Sequence, residues 1–93
     1  MVKEVKVSHI LVREESEAKL ILNKIKGKLE TFENLAMTQS LCPSKRRGGD
    51  LGWFGRGMMV KEFEDFSFNL KKEEIGIVKT KFGWHVIKKV DEK

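Results

Sequence analysis

The hydrophobic pattern of this chain changes its period twice. Residues 2–12 and 84–90 alternate apolar with polar side chains, which is typical of β-strands with one buried face. Between them, apolar residues recur at helical spacing over 18–25 and 60–70. At 93 residues the chain is too short for two independent cores. We therefore expect one domain, residues 1–93, with its first and last strands side by side at the centre of a small sheet.

Turn and capping residues divide the rest of the chain into elements. Ser16 and Thr31 are predicted to cap two helices, and Gly27 is predicted to end the first of them. Residues 42–50 have no apolar period and predict a loop that could hold one helical turn. The remaining predicted elements are strands at 51–54 and 75–80 and a tight turn at 81–83. The order β-α-α-loop-β-α-β-β predicts an α+β fold with a small, mostly antiparallel sheet.

Composition excludes several classes of protein. Cys42 is the single cysteine, so an internal disulfide is impossible and a reducing compartment is expected. The run Met1–Val7 is charged and lacks the apolar segment of a signal peptide, and no stretch has the ~20 apolar residues of a membrane helix. We therefore expect a cytoplasmic protein that works as a monomer.

The chain carries a basic excess, with 19 Lys and Arg residues against 14 acids and a net charge of +5. Most of this excess is dispersed, but Lys45, Arg46 and Arg47 are consecutive. Such a cluster can attract anionic partners, including nucleic acid. No aromatic residue is interleaved with it, so a solvated, solubilising surface is the favoured interpretation and weak nucleic-acid binding remains an alternative.

Few side chains are suited to chemistry. His9 and His85, the two histidines, are predicted to lie on the inward faces of the first and last strands, where the two imidazoles could pair. Two ordinary core histidines are the alternative. Cys42 could be a reactive thiol beside the basic cluster or a small buried apolar residue. A zinc site of these three residues lacks paired ligand spacing, so we predict no metal and no cofactor.

Large apolar side chains flank the glycine-rich stretch 52–57. Leu51, Met59 and Phe63 could form a shallow, adaptable cup suited to a compact aliphatic ring. Ordinary core packing is the alternative for each of them. The glycine-rich stretch itself contains aromatic residues that are wrong for a phosphate-binding loop.

Four motifs occur in an order that resembles a known family. They are Ser8-His9-Ile10-Leu11-Val12, Gly49-Asp50-Leu51-Gly52-Trp53-Phe54, Arg56-Gly57-Met58-Met59-Val60 with Phe63-Glu64, and Phe82-Gly83-Trp84-His85-Val86-Ile87. Together they are similar to a parvulin-type peptidyl-prolyl cis-trans isomerase (rotamase) domain, over essentially the whole chain. The resemblance implies a four-stranded, mostly antiparallel sheet surrounded by about four helices, the fourth a short turn near residues 43–47.

The resemblance also implies roles for eight residues. The positions that match the family's proline pocket are Leu51, Met59, Phe63 and Phe82, the last at the rim. The positions that match its catalytic groups are His9, Cys42, Thr80 and His85. Thr80 would hydrogen-bond to the paired histidines, and Cys42 would lie near the rotating carbonyl, where some parvulins have Cys and others Asp. Because Asp cannot act as the same nucleophile, a non-covalent mechanism is predicted.

The expected partners are proline-containing peptides and unfolded or folding protein chains. Phosphate-directed parvulins carry a long basic insertion after the first strand, whereas the segment Leu11–Ser16 here is short and acidic. We therefore expect no strong requirement for a phosphorylated residue before proline. A peptide-binding chaperone and a weak nucleic-acid-binding protein are the alternatives to the isomerase.

Overall fold

A computed structural model describes all residues, 1–93. Its elements in chain order are β1 Glu4–Val12, α1 Glu15–Lys26, α2 Phe32–Gln39, a 3-10 helix Pro43–Arg47, β2 Asp50–Gly55, α3 Lys61–Asn69, β3 Ile75–Thr80 and β4 Gly83–Glu92. The strands form one sheet in the order β2-β1-β4-β3, and every neighbouring pair is antiparallel. The predicted α+β fold is confirmed, and the short turn near residues 43–47 is the 3-10 helix.

The two terminal strands pair at the centre of the sheet, as expected for a small sheet. In the register of β1 and β4, His9 lies opposite Ile87 and Leu11 lies opposite His85. Opposed residues of antiparallel strands project from the same face of the sheet. Both imidazoles therefore lie on one face, two positions apart across the central pair of strands.

Helices cover both faces of the sheet. On one face α1 and α2 pack on the strands, and the buried cluster there is Ile10, Val12, Ala18, Ile21, Phe32, Leu35, Ala36 and Val86. On the other face α3 packs on the strands, and the buried cluster is Val5, Val7, Phe54, Phe63, Leu70 and Ile87. The second half of β1 is consequently buried on both sides, which is why its alternation fades after Ser8.

The predicted cap at Ser16 is wrong. Helix α1 begins at Glu15, and its N-cap is Glu14, which has an extended backbone conformation. The backbone N–H of Glu14 donates to the Glu17 carboxylate at 3.1 Å. Ser16 lies inside the first turn. The cap at Thr31 is confirmed, because its hydroxyl accepts from the backbone N–H of Asn34. None of the helices combines the length and the apolarity that crossing a bilayer requires.

Candidate active site

A cavity of about 330 Å³ opens on the α3 face of the sheet, within the size range of small-ligand sites. It lies beside the paired strands β1 and β4, between α3 and the segment that follows α2. Its lining residues are His9, Leu11, Leu41, Cys42, Pro43, Leu51, Met59, Val60, Phe63, Phe82 and His85. Seven of the eight residues predicted from the sequence are among them. The eighth, Thr80, is outside the lining and contacts His85.

The floor of the cavity is a pair of facing imidazoles. The Nδ1 atoms of His9 and His85 are 3.0 Å apart, and the two ring planes differ by 18°. The edge-to-face ring of Phe63 lies 5.5 Å from the His9 centroid and 5.1 Å from the His85 centroid. Aromatic contacts of this kind stabilise by about 0.5–1.5 kcal/mol beyond burial. Phe63 therefore holds both imidazoles in place as well as lining the cavity.

Thr80 fixes the direction of the hydrogen-bond chain. Its hydroxyl accepts from the backbone N–H of Phe82 at 3.1 Å and lies 2.7 Å from Nε2 of His85. When the hydroxyl donates to Nε2, the proton of His85 sits on Nδ1 and is donated to Nδ1 of His9. The opposite direction would leave the hydroxyl proton without an acceptor. The chain ends at Nε2 of His9, a buried atom with no hydrogen-bond partner.

Burial keeps both imidazoles neutral at pH 7. It lowers the pKa of His85 from 6.5 to about 4. Burial is also the larger reason that the pKa of His9 falls to about 4, and the nearby His85 lowers it further. The floor of the cavity is therefore polar but uncharged under neutral conditions.

The apolar wall is formed by residues of graded exposure. Phe63 is buried, Leu51 and Met59 are half-buried, and Phe82 is 60% exposed at the rim. Leu51, Met59 and Phe63 are the cup expected from the sequence, and with Phe82 they are the set that the family resemblance implies for a proline pocket. The wall can contact one face of a compact apolar group while the rim stays open to solvent.

Cys42 is a free, half-buried thiol at the start of the 3-10 helix. Ser40 anchors this segment to β1, because its hydroxyl accepts from the backbone N–H groups of Leu11 at 3.0 Å and Cys42 at 3.3 Å. The backbone N–H of Leu41 also donates to the carbonyl of Leu11 at 2.8 Å. These hydrogen bonds to β1 hold the segment that carries the thiol at the cavity wall. The structure contains no group of three or more His, Cys, Asp or Glu arranged to hold a metal ion.

Sequence reasoning missed four lining residues: Leu11, Leu41, Pro43 and Val60. The alternation of β1 does place Leu11 on the same face as His9, so that signal was present. Leu41 has no periodic signal, since it follows the end of α2 and is positioned by its hydrogen bond to β1.

Glu64 was also given no role, although it holds the turn that carries Met59. Its carboxylate accepts from the backbone N–H of Gly57 and from Arg56 at 3.0 Å. The Gly57 N–H is the main reason that the pKa of Glu64 is lowered, followed by Arg56. Gly57 has φ of +90°, a conformation that glycine tolerates best. Glu64 therefore fixes the turn that leads into Met59, a lining residue of the cavity.

Comparison with known proteins places this geometry in a family. The sequence profile of the PPIC-type PPIASE domain matches residues 1–93. The chain is 49% identical over 92 residues to foldase protein PrsA 1 of Bacillus cereus, covering 97% of this chain and 32% of that protein. It spans about a third of the length of the first curated relatives that it matches.

Solved structures agree in fold. A crystal structure of a peptidylprolyl isomerase (PrsA) from Bacillus anthracis superposes with a TM-score of 0.95 at 42% identity, covering 99% of this chain and 43% of that one. The solution structure of NmPin, the parvulin of Nitrosopumilus maritimus, superposes with a TM-score of 0.86 at 43% identity, covering 96% of this chain and 97% of that one. Both likenesses extend over nearly the whole of this chain.

Proposed function

Because this chain belongs to the PPIC-type peptidyl-prolyl isomerase (parvulin) family, we propose that it accelerates cis-trans rotation about X–Pro bonds in peptides and folding protein chains. The observation that supports this most directly is the cavity, which combines an apolar wall with a floor of two neutral, hydrogen-bonded imidazoles. A pyrrolidine ring fits the wall. The roles of the eight predicted residues belong to this proposal.

The cavity has the properties that the reaction needs. Rotation about a peptide bond is opposed by a barrier of about 18–20 kcal/mol, since the C–N bond has partial double-bond character. An apolar site disfavours the charge-separated resonance form of the imide and so weakens that character. Each 1.36 kcal/mol removed from the barrier accelerates the rotation about tenfold. Leu51, Met59 and Phe63 would hold the ring while the preceding carbonyl turns.

The function is tested by exchange NMR on a library of X-Pro tetrapeptides with and without the protein. We expect accelerated cis-trans exchange, together with chemical-shift changes at Leu51, Met59 and Phe63 that locate the bound proline. A folded protein that accelerates none of the peptides contradicts the proposal. If the protein accelerates none of the peptides but still prevents aggregation of an unfolded client protein, the domain is a peptide-binding chaperone.

Cys42 is proposed to act without forming a bond to the substrate. We expect that Cys42→Asp retains substantial activity, within about tenfold of the parent kcat/KM, because a carboxylate can supply an electrostatic or hydrogen-bonding contact at the same place. Cys42→Ala serves as the control for loss of any polar contact. Complete loss of exchange in a folded Cys42→Asp protein would instead indicate a thiolate nucleophile.

The proposal includes no strong requirement for a phosphorylated substrate. Only Arg13 and Glu14 separate the end of β1 from the start of α1. Arg13 is the one basic side chain there, so that connection offers no cluster of cations for a phosphate. The cytoplasmic location, the monomeric state and the weakness of any nucleic-acid binding stay predictions.

A further inference from the structure

The turn between β2 and α3, residues 56–60, carries part of the cavity wall. Its last two residues, Met59 and Val60, line the cavity and pack against the apolar cluster on the α3 face. Val60 is also the N-cap of α3, and its side chain makes no capping hydrogen bond. The start of α3 therefore lacks the polar side-chain cap that commonly fixes a helix terminus, and the turn depends on contacts from elsewhere in the chain.

Glu64 supplies polar contacts to both ends of this turn. Its carboxylate accepts from the backbone N–H of Gly57, and its own backbone N–H donates to the Val60 carbonyl at 2.9 Å. The Gly57 N–H is the one backbone N–H of residues 56–60 that has a hydrogen-bond acceptor in the protein. Glu64 is only 8% exposed, so few water molecules can compete for its carboxylate.

The Gly57 N–H is the strongest partner of the Glu64 carboxylate. It is the first cause of the lowered pKa of Glu64, ahead of Arg56, which donates at 3.0 Å. The same nitrogen of Arg56 also donates to Asp65 at 2.8 Å, so Arg56 is shared between two acids. Hydrogen bonds to a charged acceptor are about twice as strong as neutral ones. The bond from Gly57 is therefore the principal polar attachment of the turn.

We propose that Glu64 is a positioning residue for the isomerase: by accepting from Gly57, its carboxylate keeps Met59 and Val60 in place to receive the proline, and so sets the affinity for substrate. The inference rests on the function proposed above. Glu64 is absent from the cavity lining, so it acts through the turn and does not touch the peptide. A peptide that has bound meets the same imidazole floor with or without this contact.

The expected effect is on binding and not on turnover. The apparent dissociation constant rises in inverse proportion to the fraction of molecules whose site is formed. Loss of a hydrogen bond to a charged group shifts a local equilibrium by roughly ten- to a hundredfold. We expect Glu64→Ala to lower the formed fraction to between about a third and a tenth, which raises Kd and KM about three- to tenfold. The value of kcat should stay within about twofold of the parent.

Exchange NMR and peptide titration separate the two quantities. Chemical-shift titration with Ala-Ala-Pro-Phe gives Kd, and cis-trans exchange at high peptide concentration gives kcat. An unchanged Kd in Glu64→Ala, or a fall in kcat at unchanged Kd, would overturn the positioning role. A parent protein that binds the peptide without accelerating its exchange would overturn the isomerase function alone, because the comparison of Kd values still decides the role of Glu64.

Asp65→Ala is the matched control. Asp65 is the neighbouring acid on α3 and pairs with the same nitrogen of Arg56, but it makes no hydrogen bond to the backbone of the turn. This variant should keep Kd within about twofold of the parent. Glu64→Gln retains an oxygen that can accept from the Gly57 N–H, so it should recover most of the lost affinity. Equal weakening in Asp65→Ala, or no recovery in Glu64→Gln, would overturn the proposal.

Gly57→Ala tests the same contact from the turn and covers the case in which Glu64→Ala does not fold. A Cβ on Gly57 would meet no atom within 4 Å, so the substitution introduces no clash, but φ of +90° disfavours alanine. We expect binding to weaken about three- to tenfold here too. The methyl NMR signal of Met59 should shift, while that of Met37 on α2 should not. A parent-like Kd with an unchanged Met59 signal would overturn the proposal.

Discussion

Phe63→Ala is expected to lower the free energy of unfolding by about 3–5 kcal/mol and to reduce kcat/KM at least tenfold. Phe63 is 3% exposed, packs in the α3-side cluster, and contacts both imidazoles with its ring edge. Its removal leaves a cavity in the core and also removes the ring contacts that hold His9 and His85 in place. Domains of this size have a total stability of about 5–15 kcal/mol, so the loss is a large fraction of it.

Phe82 provides the matched control. It is the same residue type and lines the same cavity, but it is 60% exposed at the rim. Phe82→Ala should change stability by less than about 0.5 kcal/mol while it raises KM. Denaturant unfolding of both variants measures the stabilities, and exchange NMR measures the activities. Equal stability of the Phe63→Ala and Phe82→Ala proteins would contradict the structural role of Phe63.

A third variant keeps the prediction testable if Phe63→Ala does not fold. Phe63→Leu retains most of the buried volume and lacks the aromatic edge, so it should fold with a smaller loss of stability. Its imidazole NMR signals should nonetheless shift, because the two ring contacts that hold His9 and His85 are gone. Unchanged imidazole signals would show that Phe63 serves only as packing.

The sequence predicted the parts of the site that depend on strand alternation. The period of two in both terminal strands places His9 and His85 on inward faces, and pairing of those strands then brings them together. The turn at residues 81–83 was likewise readable, since Gly83 adopts φ of +137° and a Cβ there would meet the Val12 carbonyl oxygen at 2.7 Å. These features follow from local rules combined with one long-range pairing.

Features that depend on tertiary contacts were not readable. Leu41 reaches the cavity because its backbone hydrogen-bonds to Leu11, thirty residues earlier in the chain. Glu64 looks like any acid of an exposed helix, and only the approach of Gly57 and Arg56 gives it a role. The failed cap at Ser16 has the same origin on a shorter scale, since the Glu17 carboxylate reaches back to the Glu14 N–H and sets the helix start earlier.

The protein is expected to lose several kcal/mol of stability between pH 6.5 and pH 4. The pKa of each histidine falls from 6.5 in the unfolded chain to about 4 in the folded one. Below pH 6.5 the unfolded chain therefore binds protons that the folded chain does not, and stability declines as the pH falls. Above pH 6.5 the pair contributes no pH dependence. At 1.36 kcal/mol for each pKa unit, the loss approaches roughly 3 kcal/mol for each histidine at pH 4.

The two histidines are the only ones in the chain, which makes the experiment direct. Denaturant unfolding at steps from pH 8 to pH 4 measures the stability, and NMR titration of the imidazole protons measures the folded-state pKa values. In a His9→Asn/His85→Asn protein the slope between pH 6.5 and pH 5 should disappear, whatever the absolute stability. The carboxylates with lowered pKa, among them Glu64, Asp65 and Asp91, act at lower pH because their ordinary values lie near 4.

An imidazole that titrates near pH 6.5 in the folded protein would contradict this account at its base. It would mean that water reaches the floor of the cavity or that a carboxylate approaches it, and neither fits the buried Nε2 of His9 or the uncharged lining. Neutral imidazoles are also what the hydrogen-bond chain from Thr80 requires, since a doubly protonated His85 could not accept at Nε2. The pH dependence of stability thus tests the same protonation states on which the proposed site depends.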